Sequence, residues 1–146
     1  MKTRRKIGFG IYLLGGILGI FWGFLYFFAS EMMPYHRQAI GKNWGDLEKG
    51  TQIIILALMQ DTGAGWLAFG LMWLITLFIP FRRGEKWANW TLFVCGVFLQ
   101  TLLFFVTMKV HIMTQASTPW YFALFFIVLI FVAFLLSLPE KKELQP

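Results

Sequence analysis

Four long stretches without a charged side chain, one of them broken once, decide most of what this chain can become. Ile7 to Ser30, Trp87 to Met108 and Pro119 to Leu138 carry no charge at all, and Thr51 to Phe81 is broken only by Asp61. Each is near the ~20 residues a helix needs to cross a ~30 Å hydrocarbon core. Lipid offers no partner to an open backbone, so runs of this length cross it as helices. Composition points the same way. Charged residues are 14% of the 146 and apolar residues 58%, against roughly a quarter charged in soluble domains. A water-soluble domain of this size has too little interior to hide that much apolar surface. The expected fold is an all-α membrane protein, one four-helix bundle over residues 1–146. Its helices are expected at about 7–30, 51–80, 87–109 and 119–138.

The net charge of +6 does not point to nucleic acid, because the basic residues sit beside the apolar runs, where they orient membrane helices. The expected medium and partner is the lipid bilayer. With the N-terminus inside, the inner flanks hold Lys2, Arg4, Arg5, Lys6, Arg82, Arg83, Lys86, Lys141 and Lys142, and the outer flanks hold Arg37, Lys42, Lys49 and Lys109. This bias predicts both termini in the cytoplasm. Trp87 and Trp90 then mark the inner interface, Trp120 and Tyr121 the outer one. The first run is too long for a signal-peptide core, and Phe27 spoils a small-x-small cleavage site before Ser30, so a retained helix is expected.

Boundary residues sharpen the elements. Thr118 and Pro119 read as an N-cap and first helical residue, while Pro80 and Pro139 close the second and fourth helices. The second run is long for one crossing, about 43 Å from Thr51 to Ile79. Either its first turns project beyond the membrane or it bends near Gly63-Ala64-Gly65. Projection suits Asp61, which lies about 28 Å along the helix from Pro80 and so near the outer interface. Glu31 to Gly50 is expected to form an outer interfacial helix or lid, with Gly41 ending a short helix and Asp46 opening the next.

Few residues invite chemistry. Gly15, Gly19 and Gly23 recur every four residues, with Gly8 on much the same face, a pattern that admits a second helix backbone closely. That helix could belong to the same chain or to another copy. Asp61 is an expensive carboxylate within a membrane helix. Lys109 and His111 close the third helix, and Glu31, His36 and Arg37 follow the first, so an acid, bases and two imidazoles are expected at one rim. An interfacial ion pair of Asp61 with Lys109 or Arg37 is the plainer account and outweighs a reactive site. Gln100 and Thr101 lie mid-membrane, where an amide needs an interhelical partner or forms the polar floor of a cavity. Cys95 reads as a packing residue. Neither His36 nor His111 has a second ligand at helical spacing, so no metal is expected. No phosphate loop, nucleophile elbow or Cys-x-x-Cys appears, and no cofactor is expected.

The stretches Met33-Pro34-Tyr35-His36, Leu56-Ala57-Leu58-Met59, Gly63-Ala64-Gly65-Trp66-Leu67-Ala68, Ile79-Pro80-Phe81-Arg82-Arg83-Gly84-Glu85-Lys86-Trp87-Ala88 and Thr118-Pro119-Trp120 together resemble a family of small, uncharacterised bacterial four-helix membrane proteins. The resemblance covers most of the chain and implies a bacterial inner-membrane location without an activity. The four-helix plan also looks distantly like the DoxX-like and emopamil-binding proteins. The latter bind sterol-like ligands with acidic residues in the bundle, whereas here only Asp61 is intramembrane and no motif matches residue by residue. The expected function is therefore a non-enzymatic bundle, either an accessory subunit or a homo-oligomer. The alternative is a binding protein or enzyme for a lipid-like or amphipathic molecule, its pocket at the outer rim around Asp61 with Gln100, His36, His111 and Lys109. A transporter would need a polar path below Gln100, where only Thr91 and Cys95 are available.

Overall fold

In a computed structural model, which describes residues 3–138, the chain is helical with no strand among the described residues. Helix α1 spans Thr3–Phe27, α2 Pro34–Ile40, α3 Lys49–Phe81, α4 Lys86–Thr114 and α5 Trp120–Ser137. All but α2 are long and apolar enough to cross a membrane, the pattern of a multi-pass membrane protein. Helix α1 begins and ends a turn earlier than 7–30, and α4 runs on to Thr114, past the expected 109. Pro139, expected to close the last helix, and Lys2, Lys141 and Lys142 lie outside the described residues.

Three boundary expectations need correction. Thr118 does not cap α5; its hydroxyl donates to the Thr107 carbonyl at 2.8 Å, and Pro119 takes the cap position. Asp46 closes a short 3-10 turn, Trp44–Asp46, and Glu48 caps α3. Gln52 braces that junction, its Nε2 donating to the carbonyls of Trp44 at 2.8 Å and Leu47 at 3.2 Å. Pro80 does not stop α3, because the last turn, Leu77–Phe81, is a π-helix. A wider turn accommodates a ring that has no N–H to give and would crowd an α-helical carbonyl. The chain reverses instead at Gly84, whose φ of 93° suits a residue without Cβ.

Helix α1 packs along α3 and α5, and α5 along α4, while α3 and α4 touch little beyond their shared turn. The four spans therefore form a square with one loose side. The tight side, α1 on α3, rests on glycine. A Cβ on Gly16 would strike Leu74 and Trp73, one on Gly23 would strike Leu67, and one on Gly63 the backbone of Phe27 and Gly23. Gly70 sits under Ile20 and beside Gly19. Gly19 and Gly23 thus serve close packing as expected, and the helix they admit is the chain's own α3. Gly15 is only grazed, by Trp73 Cζ2 at 3.8 Å, and Gly16 takes the third place. Gly8 backs onto Ser137 and Ala133 of α5.

One end of the bundle gathers Arg4, Arg5, Lys6, Arg82, Arg83 and Lys86 and is called the basic end; the other, under α2, is the lid end. Near the basic end the core is aromatic and contains a polar chain. Tyr12, Trp73, Leu77, Phe81, Ala88, Leu92, Ile130 and Ala133 form the buried cluster. Trp73 Nε1 donates to the Tyr12 carbonyl at 2.8 Å, and the Tyr12 hydroxyl donates to Asn89 Oδ1 at 3.2 Å. Asn89 Nδ2 reaches the Phe134 carbonyl at 3.4 Å. One amide thereby ties α1, α4 and α5, and the indole ties α3 to α1. Arg5 donates to the Phe81 carbonyl and lies over the Phe81 ring, 4.8 Å from its centroid, fastening the start of α1 to the end of α3.

Candidate functional site

The lid end is built from short pieces. Pro34 opens α2, and Gly41 closes it in the left-handed conformation, φ 70°, its N–H returning to the Arg37 carbonyl at 2.9 Å. Met32, two residues before α2, is buried. The Tyr26 and Tyr35 hydroxyls are 2.6 Å apart, joining α1 to α2, and Gln38 Oε1 accepts the Ser117 N–H at 2.9 Å, joining α2 to the α4–α5 turn. The expected lid is therefore present and held at both sides.

His36 belongs to this lid. Its ring packs edge-on to Tyr35 at 4.1 Å and to Tyr26 at 6.4 Å, and its buried Nδ1 has no hydrogen-bond partner among the described residues. Burial holds its pKa below the usual imidazole range, since the charged ring loses water without gaining an anion. Burial likewise pushes the Tyr35 hydroxyl up, helped by the neighbouring Tyr26. Both groups are therefore neutral near pH 7; His36 acts as packing, and Tyr35 also holds the lid to α1 through Tyr26.

His111 is committed elsewhere: its Nδ1–H donates to the Ala116 carbonyl at 2.7 Å and braces the α4–α5 turn. Lys109 is exposed and makes no hydrogen bond among the described residues. Arg37 pairs with Glu31 at 3.5 Å, not with Asp61. Asp61 is exposed, on the side of α3 away from the Gly63 face that meets α1, and has no ion pair among the described residues. The expected intrachain pair of Asp61 with Lys109 or Arg37 is not formed. The rim residues share one end of the bundle but not one pocket. No group of three or more His, Cys, Asp or Glu able to hold a metal ion occurs among the described residues.

Asp61 lies where α3 passes the end of α1. Helix α3 is continuous through Gly63-Ala64-Gly65, and Gly63 is level with Phe27, the last residue of α1. Asp61 therefore stands about 3 Å beyond the end of α1, at the lip of the span.

Gln100 is the polar interior position. It lines a small cavity of about 20 Å³ inside the bundle, with Gly15 of α1, Trp66, Phe69 and Trp73 of α3, Gly96 and Leu99 of α4, and Phe126 and Ile130 of α5. That space accepts one water-sized group. Gln100 Oε1 is buried and has no hydrogen-bond partner among the described residues. Trp73 and Gly96 shape this cavity together, since a Cβ on Gly96 would meet the Trp73 ring.

Sequence reasoning did not single out Tyr12, Asn89 or the tyrosine pair that joins α1 to the lid. Asn89 sits between Trp87 and Trp90 and reads as an interfacial residue; only the facing Tyr12 makes it a core one. A useful signal was available in Asn89 being the first side-chain amide inside the third apolar run. No protein-family model, curated protein or solved structure matches the chain.

Proposed function

We propose that this chain is a non-enzymatic, multi-pass component of the inner membrane that works by assembling with membrane partners through the loose α3–α4 side. The observation that carries the reading is Asp61, an exposed carboxylate at the lip of α3 on a face of small residues, Ala57, Ala64, Gly65 and Ala68. A carboxylate in that position seeks a basic partner, and small neighbours let a foreign helix approach. The glycine face of α1 is occupied by α3, so assembly uses this second surface. Placement in the inner membrane rests on the family resemblance, and both termini in the cytoplasm on the nine basic residues of one flank set against four of the other. The test is photocrosslinking in native membranes from a reactive residue at position 64. A discrete adduct, lost in Ala68→Trp, is expected; a chain that stays monomeric at every expression level refutes the reading.

The second reading, a binding protein for a lipid-like molecule, is favoured by one observation, the unpartnered Gln100 amide beside its cavity. A hydroxyl-bearing lipid entering between α3 and α4 would give Oε1 a donor. If so, Gln100→Leu removes a specific lipid from the protein purified in native lipid; an unchanged lipid complement excludes it.

A further inference from the structure

Asp61 and Lys109 stand at the same depth and on the same side of the bundle. The depth follows from where α3 and α4 meet. A Cβ on Gly96 would strike the Trp73 ring, so these two positions are near one level. Asp61 lies 12 residues from Trp73 towards the lid end and Lys109 13 residues from Gly96 in the same direction, about 18 and 20 Å.

The side follows from helical rotation of roughly 100° per residue. On α3, Gly63 faces α1, and Asp61 points about 160° away from it. On α4, Phe93 stacks on Phe134 of α5 at 4.2 Å, and Lys109 points about 160° away from Phe93. In the square of spans α1 lies behind α3 and α5 behind α4. Pointing away from each is therefore pointing out through the same face, the loose one. Both side chains open through that face at the lid end, both exposed, without an ion pair among the described residues.

We infer that this face pairs with the same face of a second copy about a two-fold axis along the membrane normal, giving two reciprocal Asp61–Lys109 bridges at the lid end. The inference rests on the assembly reading above and names its partner. A two-fold axis in this orientation preserves depth and sets α3 of one copy against α4 of the other. The apolar surfaces then match in size. Counting down from the bridge, Ala64 and Gly65 fall opposite Val106 and Phe105 of the second copy, and Ala68 falls opposite its Leu102. The α4 side chains are large and uncovered, Phe105 63%, Val106 62% and Leu102 48% exposed, whereas nothing lies within 4 Å of a Cβ on Gly65. Small residues of one copy thus receive large residues of the other. Charge and shape complementarity agree on one register.

The test uses the full chain in native membranes with Cys95→Ser, because Cys95 lies on the same face. Two differently tagged forms, Ala68→Cys and Leu102→Cys, are expected to crosslink when coexpressed and at least about fivefold less when either is expressed alone. Asp61→Lys and Lys109→Asp are each expected to lower the dimer fraction roughly tenfold at a fixed protein density, and the chain carrying both to restore it. No mixed crosslink, or no rescue by the double reversal, overturns the inference. Adducts to a different protein from position 64, without a self-crosslink, overturn this inference and leave the assembly reading standing; no adduct of any kind overturns both. Dimers unchanged by charge reversal mean that Asp61 and Lys109 face lipid headgroups, which also refutes the pairing.

Discussion

Gly63→Ala tests the α1–α3 crossing on which the whole arrangement depends. A Cβ there would lie 2.5 Å from the Phe27 amide nitrogen, 2.8 Å from the Gly23 carbonyl oxygen and 2.9 Å from Phe27 Cα. All three are backbone atoms, so no rotamer change relieves the clash. Non-bonded heavy atoms prefer about 3.5–4.0 Å, and α1 must therefore withdraw by about 1 Å at this point. Overpacking on that scale costs about 1–3 kcal/mol. Alanine recovers part of it, up to ~1 kcal/mol of helix propensity, though less in micelles, where helices persist after the bundle opens. The net loss is about 1–2 kcal/mol. Gly10→Ala is the matched control, because nothing lies within 4 Å of its Cβ and only the propensity gain remains. The assay is reversible unfolding of the purified protein in mixed micelles titrated with SDS. Wild type and Gly10→Ala are expected to unfold together or with the variant slightly later, and Gly63→Ala clearly earlier. If Gly63→Ala equals or exceeds wild type, the close crossing is wrong, and with it the square on which the orientation of Asp61 depends.

The polar chain near the basic end makes its own prediction. Tyr12→Phe and Asn89→Leu each strand one partner of a buried hydrogen bond and are expected to cost about 1–2 kcal/mol in the same assay, with a coupling near 0.6 kcal/mol in the double-mutant cycle; strict additivity would remove the bond. His36 makes the lid pH-sensitive in a defined direction. Its folded pKa is lowered, so the unfolded chain binds the extra proton first, and the stability present above about pH 6.5 is lost as pH falls through the lower folded value. Thermal stability of the wild type should therefore fall between pH 7.5 and 5 by more than that of His36→Gln, and parallel curves would contradict the buried imidazole.

What the sequence made legible is depth, and what it hid is direction. Each helical residue adds a fixed rise, so a run of apolar residues between charges places its members along the membrane normal without knowledge of any neighbour. Span number and the position of Asp61 along α3 follow from that count, whereas Gly41 is marked by its residue type as a helix end. Direction around a helix needs the identity of the helix opposite. Gly15, Gly19 and Gly23 look like one stripe, yet four residues advance by about 400°, so the outer two diverge by roughly 80°. Gly16, Gly19 and Gly23 stay within about 60° because a step of three offsets a step of four, and these are the three that α3 covers. Pro80 misleads for a related reason, since a wide turn absorbs what a strict α-helix rejects.

The same distinction explains the candidate site. Asp61, Lys109, His36 and His111 gather in depth, and a count along the chain can only see that gathering as convergence. In the folded chain His36 turns into the lid and His111 onto the Ala116 carbonyl, while Asp61 and Lys109 turn outward through one face. Bringing an acid and a base to the lip of a membrane span, neither with an ion-pair partner among the described residues, is costly if the chain stands alone, since ionisable groups at the edge of hydrocarbon are expensive. The cost disappears when an identical face supplies the opposite charge at the same height. A polar residue out of place in a single chain is then a statement about the assembly.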